Sequence, residues 1–238
     1  MFPIGVTGRN KFIPKATYAI IVINILVFIW ELSVESSGGK PALQAAFQLY
    51  GLEVCKVNIQ PLGVTFLDTL RSMFMHDGLG HLVGNMWFLF IFGGMVEKFL
   101  GSVKYFGIYI LFGYLATLAH LVFGSTVCTV DNTGVIIGAS GAIAGVMGAF
   151  LFLHPSAKVK TMIGFFRPFM WTIKLPAFLF LGYWLTMDLL QGIGWLGVTT
   201  NVAHWAHIGG FVAGFGILFV IGLFKPVPPP DPLAHLDD

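Results

Sequence analysis

The sequence predicts an all-α membrane protein: a compact bundle of six transmembrane helices with a long outer loop between the first and second. Three observations predict it. Hydrophobic residues make up 56% of the 238 residues and charged ones only 10%, against about 25% charged in an ordinary soluble domain. A water-soluble fold of this size cannot hide that much apolar surface. The apolar residues also come in runs of the length needed to cross a bilayer. Those runs are apolar on all sides. Barrel strands would be about ten residues of alternating polarity, so helices are the structures that satisfy the backbone in lipid.

The elements follow in order. Residues 1–15 read as a cytoplasmic N-terminal segment, and residues 16–224 as one six-helix domain. The first span is placed at Ala16–Leu32. Its apolar stretch follows basic residues, as in a secretory signal, but continues into Glu31-Leu32-Ser33 with no A-x-A-like cleavage site, so it is read as a retained helix. The mixed segment Ser33–Gly80 contains Gly38-Gly39 and isolated charges. Its Phe47, Leu49, Tyr50, Phe66, Leu67 and Leu70 suit a loop lying on the membrane surface. The remaining spans are placed at His81–Leu100, Phe106–Phe123, Ile137–Leu153, Leu175–Ile193 and Ala203–Phe224. Residues 225–238, rich in proline and acid, read as a disordered cytoplasmic tail.

Basic residues set the orientation. Arg9, Lys11 and Lys15 precede the first span. Lys98 and Lys104 flank the turn between the second and third. Lys158, Lys160, Arg167 and Lys174 lie between the fourth and fifth, and Lys225 follows the sixth. The opposite side carries only Lys40, Lys56 and Arg71. The positive-inside bias therefore puts both termini in the cytoplasm. A net charge of +2, with no basic aromatic stripe, argues against a nucleic-acid partner. Cys55 and Cys128 are not at metal-ligand spacing. Both fall on the outer side, where a disulfide is open to them but sequence does not settle the distance.

Polar side chains inside spans carry the chemical information, because a charge at a helix centre costs about 2.5–3.5 kcal/mol. The second, fourth and sixth spans all begin at the outer face. His81, Asn85, Ser140 and His207 lie within one or two turns of those beginnings, so they share one layer within roughly 10 Å of that face. Gly141, Gly145 and Gly148 on the fourth span, and Gly210 and Gly214 on the face of the sixth that bears His207, would let the two backbones approach closely. That contact would bring the Ser140 hydroxyl to the His207 imidazole. Ser140 also sits near a helix N-terminus, whose free N–H groups can stabilise an oxyanion. His81 and Asn85, at i and i+4, project from one face and can donate hydrogen bonds to the same anion. A nucleophile, a base and oxyanion donors are the parts acyl transfer needs. No acidic residue is evidently placed to complete a triad, so a Ser–His dyad is expected. Asp188 reads as wetted by the interface, His204 as a packing or interfacial residue, and Glu97 as a structural hydrogen-bond hub.

These residues resemble the rhomboid family of intramembrane serine proteases, in its bacterial-type form with a six-span core. Gly138-Ala139-Ser140-Gly141 matches the family's G-x-S-G. His76, His81 and Asn85 match its H-x4-H-x3-N, and Ala206-His207-Ile208-Gly209-Gly210 its A-H-x-x-G. Gly93, Glu97 and Gly101 match its G-x3-E-x3-G. The resemblance implies Ser140 as nucleophile and His207 as general base. The oxyanion hole would be formed by His81, Asn85 and the Ser140 backbone N–H. His76, Glu97, Gly138, Gly141 and Gly210 would be supporting residues. It implies cleavage of single-span or multi-span membrane proteins near the outer face of the cell's inner membrane, with no metal and no cofactor. The substrate helix would enter sideways past the fifth span. One departure is visible: many members carry Trp-Arg where this chain has Leu67-Asp68, which bears on how that loop is anchored.

Other classes fit less well. A transporter predicts polar residues across the full depth, or inverted repeats, whereas here they cluster on one side. A metal site built from His76, His81, His204 and His207 would leave Ser140 idle, and no H-E-x-x-H occurs. A non-catalytic rhomboid-like protein that binds membrane clients typically lacks the serine or the histidine, and both are present.

Overall fold

The structure, a computed structural model, describes residues 1–7, 12–124, 128, 134–164, 171–197 and 202–225. Arg9, Lys11, Arg167 and the tail beyond Lys225 lie outside the described residues.

Seven α-helices dominate: α1 (Lys15–Tyr50), α2 (Leu62–Ser72), α3 (Leu79–Leu100), α4 (Ser102–Phe123), α5 (Ser140–Leu153), α6 (Ala177–Gly192) and α7 (His204–Phe224). Four of them, α1, α3, α4 and α7, are long and apolar enough to cross a membrane, while α5 is shorter. The first helix departs from expectation. It continues beyond Leu32 and breaks only at Gly39, whose φ of 69° falls in the left-handed region that favours glycine, two residues before Pro41. Beyond the break the helix doubles back: the Trp30 and Tyr50 rings meet edge-on with centroids 5.5 Å apart. Twenty residues of unbroken helix would separate them by about 30 Å. The expected long loop is therefore largely helical, from the end of α1 through α2.

Two small sheets, absent from the all-α expectation, tie the ends of the bundle. β1 (Phe2–Val6), β4 (Lys158–Ile163) and β5 (Trp171–Pro176) form an antiparallel sheet in the order β1-β4-β5. In Lys158–Ile163 successive side chains face opposite sides, and Val159 and Thr161 point into the protein, fully buried. Its lysines read as a loop signal in the sequence, and polar Thr161 on the buried face broke the alternation beyond Lys158-Val159-Lys160. Leu175 and Pro176, placed in the fifth span, end β5, and that helix starts at Ala177. On the opposite end, β2 (Leu52–Glu53) pairs with β3 (Val135–Ile136). Beside that pairing Cys55 and Cys128 form a disulfide with Cα atoms 5.8 Å apart.

The core is centred on α5. Gly141 through Phe150 and Leu153 are all buried, against α3, α4 and α7. The α5–α7 seam is made of backbone. A Cβ on Gly210 would strike the Gly141 carbonyl oxygen, one on Gly214 that of Gly145, and one on Gly148 that of Phe211. Only small residues permit such an approach in lipid, where packing and not the hydrophobic effect drives helix association. Across the bundle, buried Glu97 gathers the start of α1, the end of α3 and the start of α4. It accepts hydrogen bonds from the Ala16 and Thr17 N–H groups and the Thr17 hydroxyl, each at 2.8 Å, and from the Ser102 hydroxyl at 2.7 Å.

Candidate active site

The glycine seam sets α5 and α7 side by side with Ser140 and His207 at matching heights. Ser140 is the first residue of α5 and His207 lies in the first turn of α7. The Ser140 Oγ is 2.8 Å from His207 Nε2, a contact between residues 67 positions apart. The α5 ladder begins with the Ile143 N–H donating to the Ala139 carbonyl at 3.0 Å. The N–H groups just before it belong to the unpaired first turn, where the positive end of the helix dipole lies.

The approach to Ser140 is shaped by Gly138. Its φ of 122° is a conformation that L side chains rarely adopt. A Cβ there would come within 2.9 Å of the His81 ring and 3.8 Å of the Ser140 hydroxyl. The Gly138 N–H donates to the Ser72 carbonyl at 2.8 Å, which fastens the turn before the serine to the end of α2.

The two candidate oxyanion donors on α3, His81 and Asn85, each have a polar partner just before the helix. His81 Nδ1 lies 2.6 Å from the Asp77 carboxylate. With the proton on Nδ1, the Nε2 edge facing Gly138 can donate only as imidazolium. The Asn85 Nδ2 donates to His76 Nε2 at 3.0 Å. Burial, with His81 alongside, pulls His76 from its ordinary 6.5 to about 4, so it is a neutral acceptor at neutral pH. The His76 backbone N–H in turn donates to buried Glu31 of α1, at 3.0 Å to Oε1. His76 and Asn85 thus form a brace between α1 and α3, one of whose anchors, Glu31, was not singled out in the sequence.

Two expectations are corrected here. Asp188 is not wetted: it is 8% exposed, and its carboxylate lies between two imidazoles. Oδ2 is 3.1 Å from His207 Nδ1, and Oδ1 is 2.8 Å from His204 Nδ1. An acidic residue therefore does accompany the Ser140–His207 pair, and His204 is its second partner. Trp184, one turn before Asp188 on the same face of α6, lays its ring against His207 at 5.8 Å between centroids. The signal available in sequence was the i,i+4 spacing of Trp184 and Asp188. What it lacked was the rotation of α6 about its axis, which decides whether that face meets α7 or lipid.

Asp188, His204 and His207 each offer one ligand atom within 4.8 Å of the others. A divalent cation could bridge such a trio. Here the same atoms satisfy one another as N–H donors and carboxylate acceptor, and a cation would have to displace both protons.

A hydroxyl bonded to an imidazole at a helix N-terminus, the imidazole bonded in turn to a carboxylate, is the chemistry of nucleophilic acyl transfer. Residues 65–224 match the Rhomboid domain, and the chain belongs to the rhomboid family. Among relatives, RHOMBOID-like protein 6, mitochondrial, of Arabidopsis thaliana is 30% identical over 160 residues, which is 66% of this chain and 44% of that protein. Rhomboid protease GluP of Bacillus subtilis (strain 168) is 27% identical over 212 residues, 89% of this chain and 36% of that one. The Presenilin-associated rhomboid-like protein, mitochondrial, of Bos taurus is 29% identical over 217 residues, 87% of this chain and 48% of that one. The match thus covers less than half the length of each of these relatives. Family and apolar helices together make the chain a multi-pass membrane protein.

Proposed function

We propose that this chain is an intramembrane serine protease. It cleaves peptide bonds in or near the transmembrane helices of other membrane proteins, at the outer side of the bilayer. The observation that carries the reading is the 2.8 Å contact between Ser140 Oγ and His207 Nε2, made where the free N–H groups of α5 converge. Ser140 Oγ attacks the scissile carbonyl carbon as its proton passes to His207 Nε2. The tetrahedral oxyanion is held by the Ser140 backbone N–H, with Asn85 and, as its imidazolium, His81 as further donors. His207 then gives the proton to the leaving amine, and water resolves the acyl-enzyme by the reverse sequence. In this reading α5 and α6 complete a six-helix transmembrane bundle with both termini cytoplasmic, in the cell's inner membrane. The Cys55–Cys128 disulfide suits an outer, oxidising face for the site.

The test needs no knowledge of the natural substrate. Purified protein should label with a serine-directed fluorophosphonate, and labelling should vanish in Ser140→Ala. Co-expression with a panel of single-span proteins should yield fragments with wild type and none with the variant. Equal labelling of Ser140→Ala, or an activity that a chelator abolishes, would overturn the reading and favour a non-catalytic client-binding protein or a metal enzyme.

A further inference from the structure

We infer that Asp188 is the positioning residue of His207, and that His204 holds Asp188 in place, so that the site is a chain of four groups, Ser140–His207–Asp188–His204, and not a pair. The inference rests on the protease reading above for its catalytic meaning and on geometry alone for its structural content.

Both oxygens of the Asp188 carboxylate are engaged. Oδ1 lies 2.8 Å from His204 Nδ1, and Oδ2 lies 3.1 Å from His207 Nδ1. A carboxylate only accepts hydrogen bonds, so each facing Nδ1 carries the proton. That leaves His207 Nε2 bare, 2.8 Å from the Ser140 hydroxyl. The opposite tautomer would present Ser140 with an N–H and could take no proton from it. Asp188 thus selects the one tautomer that can act as base.

The surroundings are built for this. An acidic side chain in an apolar helix is costly unless paired, and Asp188 is the only residue in the second half of α6 that is buried. The Trp184 ring lies between His207 and Phe211, with centroids 5.8 and 6.1 Å away, and limits rotation of the imidazole. His204, one turn before His207 and itself buried, bonds the far side of the carboxylate and opposes its turning toward water. Gly192 lets the end of α6 close on it: a Cβ there would lie 3.3 Å from the His204 Cβ. When His207 takes the Ser140 proton it becomes imidazolium, and Asp188 stabilises that charge while itself remaining unprotonated. The proton leaves again from Nε2 to the departing amine, so nothing accumulates on Asp188.

The experiment is run on the full chain in detergent, with two readouts. The first is the rate of fluorophosphonate labelling. Asp188→Leu, which keeps the size and offers His207 Nδ1 no acceptor, should label at least about 100-fold more slowly. Asp188→Glu should recover part of that loss, and His204→Gln should label more slowly than wild type but faster than Asp188→Leu. The second is the 15N shift pattern of His207 in histidine-labelled protein, which should report a protonated Nδ1 in wild type and in Asp188→Glu and a protonated Nε2 in Asp188→Leu, where the Ser140 hydroxyl is the one partner left to the ring. Wild-type labelling by Asp188→Leu, with Ser140→Ala silent, overturns the positioning role and leaves the protease reading standing. If wild type itself does not label, the protease reading falls, and the tautomer still decides: an unchanged His207 pattern in Asp188→Leu overturns the inference. Should Asp188→Leu not fold, the Glu variant decides, since a protonated Nε2 there overturns it equally.

Discussion

α5 and α6 flank the same histidine and are held in opposite ways. In α5, eleven of fourteen residues are buried, and its contact with α7 is backbone against backbone at Gly141, Gly145 and Gly148. In α6 only Ala177, Phe180, Leu181 and Asp188 of sixteen residues are buried, while Phe178, Leu179 and Tyr183 are each more than half exposed. The serine is thus fixed by carbonyl oxygens that cannot yield, whereas the acid that orients its base rides on a helix seated by a few side chains. Precision is concentrated around Ser140, and α6 is seated by few buried side chains, which in the proposed protease reading would suit a helix past which a substrate segment enters.

Gly214→Leu attacks the tight side and carries the largest expected effect. Its side chain would meet the Gly145 carbonyl oxygen, and the overpacking should cost at least about 3 kcal/mol. Recovery of folded protein, read by size-exclusion and thermal melting in detergent, should collapse; a wild-type melt would show that the seam has slack. Leu181→Ala tests the loose side. Leu181 is fully buried, and its truncation should cost about 2–3 kcal/mol. The loss should appear as a lower melting temperature with Ser140 still reactive once folded. A collapse as deep as that of Gly214→Leu would erase the contrast between the helices.

Acid should loosen the ends of the tight side. Burial takes both His76, beside α3, and His154, just past α5, from 6.5 to about 4, with His81 and Lys98 respectively adding in the same direction. Between those values the unfolded chain binds protons that the folded chain refuses, so stability falls as pH drops from 6.5 toward 4 and changes little from this source above it. A His76→Gln/His154→Gln variant should melt with a flatter pH profile across that window; an unchanged slope would assign the acid sensitivity elsewhere. Smallest of all, Leu179→Ala on the exposed face of α6 should shift stability by no more than about 0.5 kcal/mol.

The parts of this fold that were legible in the sequence are those written in local pattern. Apolar length marked α3 through α7 to within a few residues, and the glycine spacing on two distant helices marked which faces would meet. Ser140, His207, His81 and Asn85 could be gathered into one layer because helix rise converts sequence position into depth. What stayed hidden depended on rotation and on reach. Asp188 sits on a helix whose turn about its own axis no local pattern records, so its carboxylate could as well have faced the interface. The continuation of α1 past Ser36-Ser37 was obscured by glycines, only the second of which breaks it. β4 was masked by Lys158 and Lys160, whose charges point outward from a strand whose other face is buried. Its partner β1 lies at the far end of the chain, beyond any window of periodicity.

That last pairing has a consequence for how the molecule comes together. Val6 faces Val159, the Lys158 N–H donates to the Thr7 hydroxyl 151 residues away, and the Trp87 indole donates to the Pro3 carbonyl at 2.7 Å. Residues 2–6 therefore find their sheet only after α5 and β4 have been made, and they must wait unpaired while the intervening helices are threaded into lipid. Such distant closure is slow and comes late. The sheet works as a latch on the finished bundle, and protease resistance of the first seven residues would time the moment at which assembly is complete.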